Sequence, residues 1–166
     1  GTDLGPLVDA DALAKVTELV TDALDRGATV ATGGPEASAA LRADLPEGGS
    51  WYAPTVLADV PAGARLLAEE VFGPVAPVHV VDTEEEALAA ANDTEFGLVG
   101  FVYSRDVSRL MRFSAGLQTG MVGLNMGVVS QPAAPFGGVK HSGLGREGGH
   151  EGVEEYLDTQ YLGLAD

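Results

Sequence analysis

Apolar residues recur at three- and four-residue steps in the first part of this chain, and this spacing predicts a helix over 9–26. Asp9 is a suitable N-cap because a carboxylate there accepts a backbone hydrogen bond, and Gly27 is a suitable stop. The helical face consists of Leu13, Val16, Val20, Ala23 and Leu24. A short apolar run that ends at a pair of glycines then predicts a buried strand over 28–31.

The middle of the chain has weaker patterns. Residues 35–50 carry Pro, Gly, Ser and charged residues without a clear period, which predicts a surface excursion. Extended structure is predicted for 51–60 and a short helical segment for 61–68. A loop rich in Val, Gly and Pro then leads into a predicted strand over 75–81.

The second half alternates between capped helices and short apolar runs. Thr83 and Glu86 have the spacing of a capping box, which predicts the start of a helix that ends near Asn92. Asp106 is expected to cap another helix, which Gly116 ends. Further elements are predicted as strands at 99–103 and 121–125, two helical turns at 151–157 and a terminal strand at 159–164. Short strands alternating with helices indicate an α/β fold with parallel strand pairs.

Composition and charge narrow the class of protein. The chain has 166 residues, the size of one ordinary domain, of which 45% are hydrophobic and 20% charged, so it should fold. A formal charge of -16 disfavours nucleic acid and anionic membrane surfaces as partners. No apolar run approaches the roughly 20 residues of a membrane span, and no signal-peptide pattern opens the sequence. A cytoplasmic location is therefore expected.

The residues with catalytic potential are limited. There is no Cys, which excludes disulfides, thiolate metal sites and a cysteine nucleophile within these residues. None of the three histidines, His79, His141 and His150, has the spacing of a metal site, so we expect no metal. Of the three, only His141 is a candidate for a functional role, because it lies in a glycine-rich loop at 135–147, and loops of this composition often shape a site.

Two further patterns suggest binding. Gly143, Gly145 and Gly148 match the string GxGxxG, but a dinucleotide site also needs a strand before it and a helix after it, and here a Pro/Gly loop precedes it. At 69–74, two carboxylates stand directly before Val-Phe-Gly-Pro. This pattern suits the binding of a polyhydroxyl group beside a flat ring, but the residues by themselves favour a solvated Glu pair followed by a core Phe.

Four segments carry a resemblance to a known family. They are EEVFGPVAPV (69–78), NDTEFGLVGFVYSRD (92–106), GLNMGVVS (123–130) and PFGGVKHSGLGREGGHEGVEEYL (135–157). Together and in this order they resemble the C-terminal part of NAD(P)-dependent aldehyde dehydrogenases, most closely the succinate-semialdehyde branch. The resemblance implies a mostly parallel sheet with flanking helices. It also implies two parts: a partial, substrate-side catalytic domain over 1–157, and a terminal strand over 158–166 through which a homo-oligomer forms.

The resemblance also implies roles for individual residues. Glu70 would hold the hydroxyls of the nicotinamide ribose, and Phe72 would pack near the nicotinamide. Ser130 would hydrogen-bond the far carboxylate of a semialdehyde, and Phe136 would line the substrate tunnel. Gly137, Gly138 and the run 142–147 would shape the loop under the active site, although for each residue taken singly the resemblance favours a purely structural role.

The implied reaction is the oxidation of an aldehyde, succinate semialdehyde to succinate, with NAD or NADP. In this family the nucleophile is a Cys and the general base a Glu, and both are expected to precede Gly1, as are the arginines that pair with the substrate carboxylate. The chain is therefore expected to be a C-terminal fragment without activity of its own. Two alternatives stay open: a non-catalytic assembly or binding module, and an aldehyde dehydrogenase for a different aldehyde.

Overall fold

The computed structural model describes residues 3–165. The chain forms two compact units, Gly1–Val81 and Asp82–Asp166, which we call unit 1 and unit 2. Both contain helices and small sheets, so the predicted α/β class is confirmed. No helix within the described residues is long and apolar enough to cross a membrane.

Helix α1 (Ala10–Asp25) provides one side of the core of unit 1. It begins as predicted, with the Asp9 carboxylate accepting a hydrogen bond from the Ala12 N–H at 2.8 Å. Val16, Leu19, Val20 and Ala23 on its apolar face are completely buried, and Leu13 and Leu24 at the margins of this face are partly buried. The buried cluster joins this face to residues of the following segments, among them Tyr52, Leu57, Val60 and Leu66.

A three-stranded sheet completes unit 1. Strands β1 (Thr29–Thr32), β2 (Thr55–Ala58) and β3 (Val75–Pro77) stand in that order, with β1–β2 antiparallel and β2–β3 parallel. The prediction of a buried first strand is wrong, since β1 is exposed along its whole length at the sheet edge. The extended stretches predicted over 51–60 and 75–81 contain β2 and β3, and both observed strands are shorter than the predicted stretches.

The prediction of a surface excursion over 35–50 is wrong for most of its length. Helix α2 (Gly34–Asp44) occupies it, with Pro35 in the first turn. Proline is favourable there because the first N–H groups of a helix have no intrahelical partner. The short helical segment predicted for 61–68 is reduced to one 3₁₀ turn, Arg65–Leu67.

In unit 2 both predicted helix caps are confirmed. Helix α3 (Glu84–Asn92) follows a complete capping box. The Thr83 Oγ1 accepts from the Glu86 N–H at 3.1 Å, and the Glu86 carboxylate accepts from the Thr83 N–H at 3.3 Å. Helix α4 (Val107–Gly116) follows Asp106, whose carboxylate accepts from the Ser108 N–H at 2.8 Å.

The strands of unit 2 form two pairs. Strand β4 (Phe96–Gly97) runs antiparallel to β7 (Val139–Lys140), and β5 (Val99–Val102) runs parallel to β6 (Met121–Leu124). Across both units, two of the four strand pairs that the structure describes are antiparallel, so the sheets are mixed and not mostly parallel.

The end of unit 2 contains less regular structure than predicted. Helix α5 (Glu151–Glu154) is one turn long where two turns are predicted. From 158 to 165 this chain forms no strand with itself. A strand at 159–164 would need another chain to supply its hydrogen bonds, so the terminal oligomerisation strand stays a prediction.

Candidate functional site

The glycine-rich loop of unit 2 is closed at its base by backbone hydrogen bonds. The Phe136 N–H donates to the Glu147 carbonyl at 2.7 Å, and the Glu147 N–H donates back to the Phe136 carbonyl at 2.8 Å. Inside the loop, the Arg146 Nη1 donates to the Gly138 carbonyl at 2.7 Å. These bonds tie both arms together, so the direction of the Phe136 side chain is set by the whole loop.

Close backbone contacts fix the shape of this loop further. A Cβ at Gly137 would stand 2.3 Å from the Gly145 carbonyl oxygen, and one at Gly120 would stand 2.0 Å from the Gly137 carbonyl oxygen. Neither distance is possible for a real side chain. The loop after Phe136 therefore packs directly on its own return arm and on the turn before β6.

Ser130 and Phe136 lie together at a depression beside this loop. Its volume is about 350 Å³, and Ser130 lies on its exposed rim while Phe136 is half-buried. The other lining residues are Gln131, Pro132, Glu147 and Gly148. A hydroxyl and an amide beside an aromatic ring suit a small molecule with an apolar body and a polar end. The sequence analysis placed Glu147 in the loop under the active site and gave no role to Gln131.

Glu70 and Phe72 lie on an exposed segment of unit 1. Phe72 is 79% exposed and has a φ of +48°, a left-handed conformation that is unusual for an aromatic residue. The following Gly73 is pressed on α1, where a Cβ would stand 2.7 Å from the Val16 Cγ2. The alternative interpretation of Phe72 as a core residue is therefore wrong for this chain.

The two carboxylates before this turn differ in their contacts. Arg65 binds Glu69 with two hydrogen bonds, Nε–Oε1 at 2.6 Å and Nη2–Oε2 at 3.1 Å, and these bonds hold the pKa of Glu69 below its usual range. The Glu70 carboxylate has no hydrogen-bond or ion-pair partner among residues 3–165. Glu70 is thus the carboxylate available to an external hydroxyl group. The spacing of four between Arg65 and Glu69 was a signal for this pair.

The remaining candidates form no second site. His141 Nδ1 lies 3.0 Å from the Glu95 Oε2 on the surface. No group of three His, Asp or Glu side chains in the described part of the chain could hold a metal ion. The two-residue strand β7 before Gly143 and the single turn of α5 after Gly148 do not provide the context that a GxGxxG phosphate site needs.

Comparison with known proteins gives a consistent result. The profile of the aldehyde dehydrogenase family matches residues 1–162. A succinate-semialdehyde dehydrogenase of Paenarthrobacter nicotinovorans is 51% identical over 170 residues, which cover 100% of this chain and 36% of that protein. A glutarate-semialdehyde dehydrogenase of Pseudomonas aeruginosa is 48% identical over 165 residues, with 99% and 32% covered.

One of the similar solved structures has a comparable sequence identity and also the same fold. The crystal structure of an NADP-dependent enzyme of E. coli superposes with a TM-score of 0.86 at 47% identity, and the match covers 96% of this chain and 31% of that one. The chain thus spans about a third of the length of the proteins it matches.

Proposed function

The chain belongs to the aldehyde dehydrogenase family, and we propose that it forms the C-terminal, substrate-side part of an enzyme that oxidises succinate semialdehyde to succinate with NAD+ or NADP+. The names of the similar proteins support an aldehyde with an acidic far end as the substrate. The observation that carries the proposal is that Ser130 and Phe136 line the same depression.

In this proposal the chain orients the aldehyde and the cofactor and does not supply the nucleophile. The family reaction needs a cysteine nucleophile, and this chain contains no Cys, so we expect it not to oxidise aldehydes by itself. The cofactor, when bound, accepts a hydride from the substrate. Glu70 would accept hydrogen bonds from the ribose hydroxyls at the nicotinamide end, which fits its lack of another partner. The exposed ring of Phe72 would pack beside the nicotinamide.

On the substrate side, the Ser130 hydroxyl would donate to the carboxylate of the semialdehyde, and Phe136 would contact its methylene groups. Glu147 also lines the depression and would repel a carboxylate. None of the residues that line the depression is a cation, and the arginines implied by the family resemblance would supply one. Location in the cytoplasm and assembly of a homo-oligomer through the terminal strand belong to the same proposal.

Replacement of Ser130 by Ala in the intact enzyme tests the substrate assignment. A hydrogen bond to a carboxylate is worth about 1.5–3 kcal/mol, so the KM for succinate semialdehyde should rise about tenfold or more. The KM for butanal, which has the same number of carbons and no carboxylate, should change little. Ser108→Ala, at an exposed serine on α4, is the matched control. Equal increases for both aldehydes would contradict the carboxylate role of Ser130.

Glutarate semialdehyde is the second candidate substrate, because one of the similar proteins carries that name. It has one methylene more than succinate semialdehyde and would place its carboxylate farther from the aldehyde carbon. The ratio of kcat/KM for the two semialdehydes decides between them. The same assays with each cofactor show whether NAD+ or NADP+ is used.

A further inference from the structure

The proposed cofactor-binding segment of unit 1 is held at its start by an ion-pair cluster on α1. The Arg65 guanidinium contacts both Glu69 and Glu18, and Glu18 lies on α1. The Arg65 backbone N–H also donates to the Asp22 carboxylate, one turn farther along the helix, at 2.9 Å. Arg65 is therefore fixed on α1 through both its backbone and its side chain.

The end of the segment is fixed on the same helix and on the sheet. Gly73 packs on Val16 so closely that a side chain would not fit. The Pro74 carbonyl accepts from the Thr55 N–H at 2.8 Å, which joins the segment to β2. Between these attachments, the exposed side chains of Glu70 and Phe72 have no polar contact with the described residues that would hold them.

From this geometry we infer that Arg65, acting through Glu69, is the positioning residue that aims the Glu70 carboxylate at the cofactor. The inference rests on the proposed cofactor role of Glu70. Glu69 is bound to Glu70 through one peptide bond, so a Glu69 side chain held by two hydrogen bonds restricts the backbone from which Glu70 projects. Without that restriction, Glu70 would have to be ordered when the cofactor binds, which weakens binding.

Arg65→Ala in the intact enzyme tests this inference. We expect the KM for the cofactor to rise about fivefold to tenfold, with the KM for the aldehyde within about twofold of its original value, because only the cofactor side loses a positioned group. Arg42→Ala is the matched control, since Arg42 is another exposed arginine of unit 1, and its side chain donates to the Trp51 carbonyl and not to Glu69 or Asp22. Arg65→Lys keeps the charge without the two-pronged contact and should recover part of the loss.

Glu69→Ala removes the carboxylate that binds Arg65, and this variant provides the test if the Arg65→Ala enzyme does not fold. Equal cofactor KM values for the Arg42→Ala enzyme and for the variants at positions 65 and 69 would overturn the inference. Glu70→Gln separates this outcome from failure of the proposed function. If Glu70→Gln raises the cofactor KM and the Arg65 and Glu69 variants do not, only the positioning role is wrong. If Glu70→Gln changes neither the cofactor KM nor turnover, the cofactor role of Glu70 and the positioning inference both fail.

Discussion

Glycine at position 120 allows two backbone segments to touch next to the candidate substrate site. Its N–H donates to the Gly97 carbonyl at 2.9 Å, and the space where a Cβ would stand is taken by the Gly137 carbonyl oxygen. Gly137 directly follows Phe136 in the chain. The position of the Phe136 ring therefore depends on the contact between Gly120 and Gly137, which are seventeen positions apart in the chain.

Gly120→Ala should separate these segments and displace Phe136. Overpacking of a tight contact costs about 1–3 kcal/mol in the free energy of unfolding, and the shift should also raise the KM for the aldehyde. Chemical denaturation and steady-state kinetics of the intact enzyme measure the two effects. Gly127→Ala is the control, because a Cβ there meets only the Tyr103 hydroxyl at 3.4 Å. An unchanged aldehyde KM in the Gly120→Ala enzyme would show that Phe136 is not positioned in this way.

At single residues, the sequence names candidates for the site and says little about which residues lie beside them. Glu70, Phe72, Ser130 and Phe136 all came from the family resemblance, and their proposed roles are untested. Glu147 was expected in the loop under the active site, but its backbone pairing with Phe136 was not, because that pairing joins residues separated in the chain. Such a contact has no local period or motif that a sequence pattern could show.

Among the elements, those with a local signal were predicted and those that depend on context were not. The capping box before α3 and the Asp cap of α4 are complete within four residues, and both were found. Helix α2 was missed because 35–50 shows no clear apolar period, although Pro35 is favourable in the first turn of a helix. The exposure of β1 depends on its place at the sheet edge, which its own four residues do not encode.

Helices α3 and α4 are joined by one carboxylate. Glu84 in the first turn of α3 accepts from the Arg109 Nε at 2.5 Å and from the Arg112 Nε at 3.0 Å, and both arginines lie on α4. The hydrogen bond from Arg109 and then that from Arg112 hold the pKa of Glu84 below its usual range. This contact lies at the surface, so its contribution is screened by salt.

A depressed pKa in the folded state means that the contribution of Glu84 to stability is complete above the ordinary pKa of a glutamate. That contribution is lost as the pH falls through the lowered value, because the unfolded chain takes up the proton first. Glu84→Gln should therefore lower the melting temperature at pH 7 and have a smaller effect near pH 3. Glu85→Gln, at the next position and without an ion pair in the described structure, controls for charge at the helix start. A Glu84 effect that is the same at both pH values would contradict the ion-pair explanation.

At the scale of the whole chain, the two units differ in how much apolar surface they bury. Unit 1 has a cluster of fully buried side chains from α1 and β2, including Val16, Leu19 and Leu57. In the described part of unit 2, Leu110 is the one buried hydrophobic side chain, at 8% exposure. Many of its large apolar side chains are exposed, among them Phe101, Tyr103, Val107, Met111 and Val128.

This difference fits a chain that spans about a third of the length of its relatives. We propose that the exposed apolar side chains of unit 2 are covered by the remaining parts of the enzyme or by a second subunit. Burial of apolar surface contributes roughly 25 cal/mol per Å², so a unit that exposes its apolar side chains has little to offset the entropy of folding. Unit 1 should then hold its structure without help, whereas unit 2 should depend on its surroundings.

Hydrogen exchange of the isolated chain and of the intact enzyme measures this dependence. In the isolated chain we expect the amides of α4 and β6 to exchange at least about tenfold faster than in the intact enzyme, because local opening costs little where few apolar contacts are lost. The amides of α1 should be protected to a similar degree in both, and they serve as the internal control. Equal protection of α4 and β6 in the two proteins would show that unit 2 is stable by itself. The exposed side chains of unit 2 would then need another explanation than a covering surface.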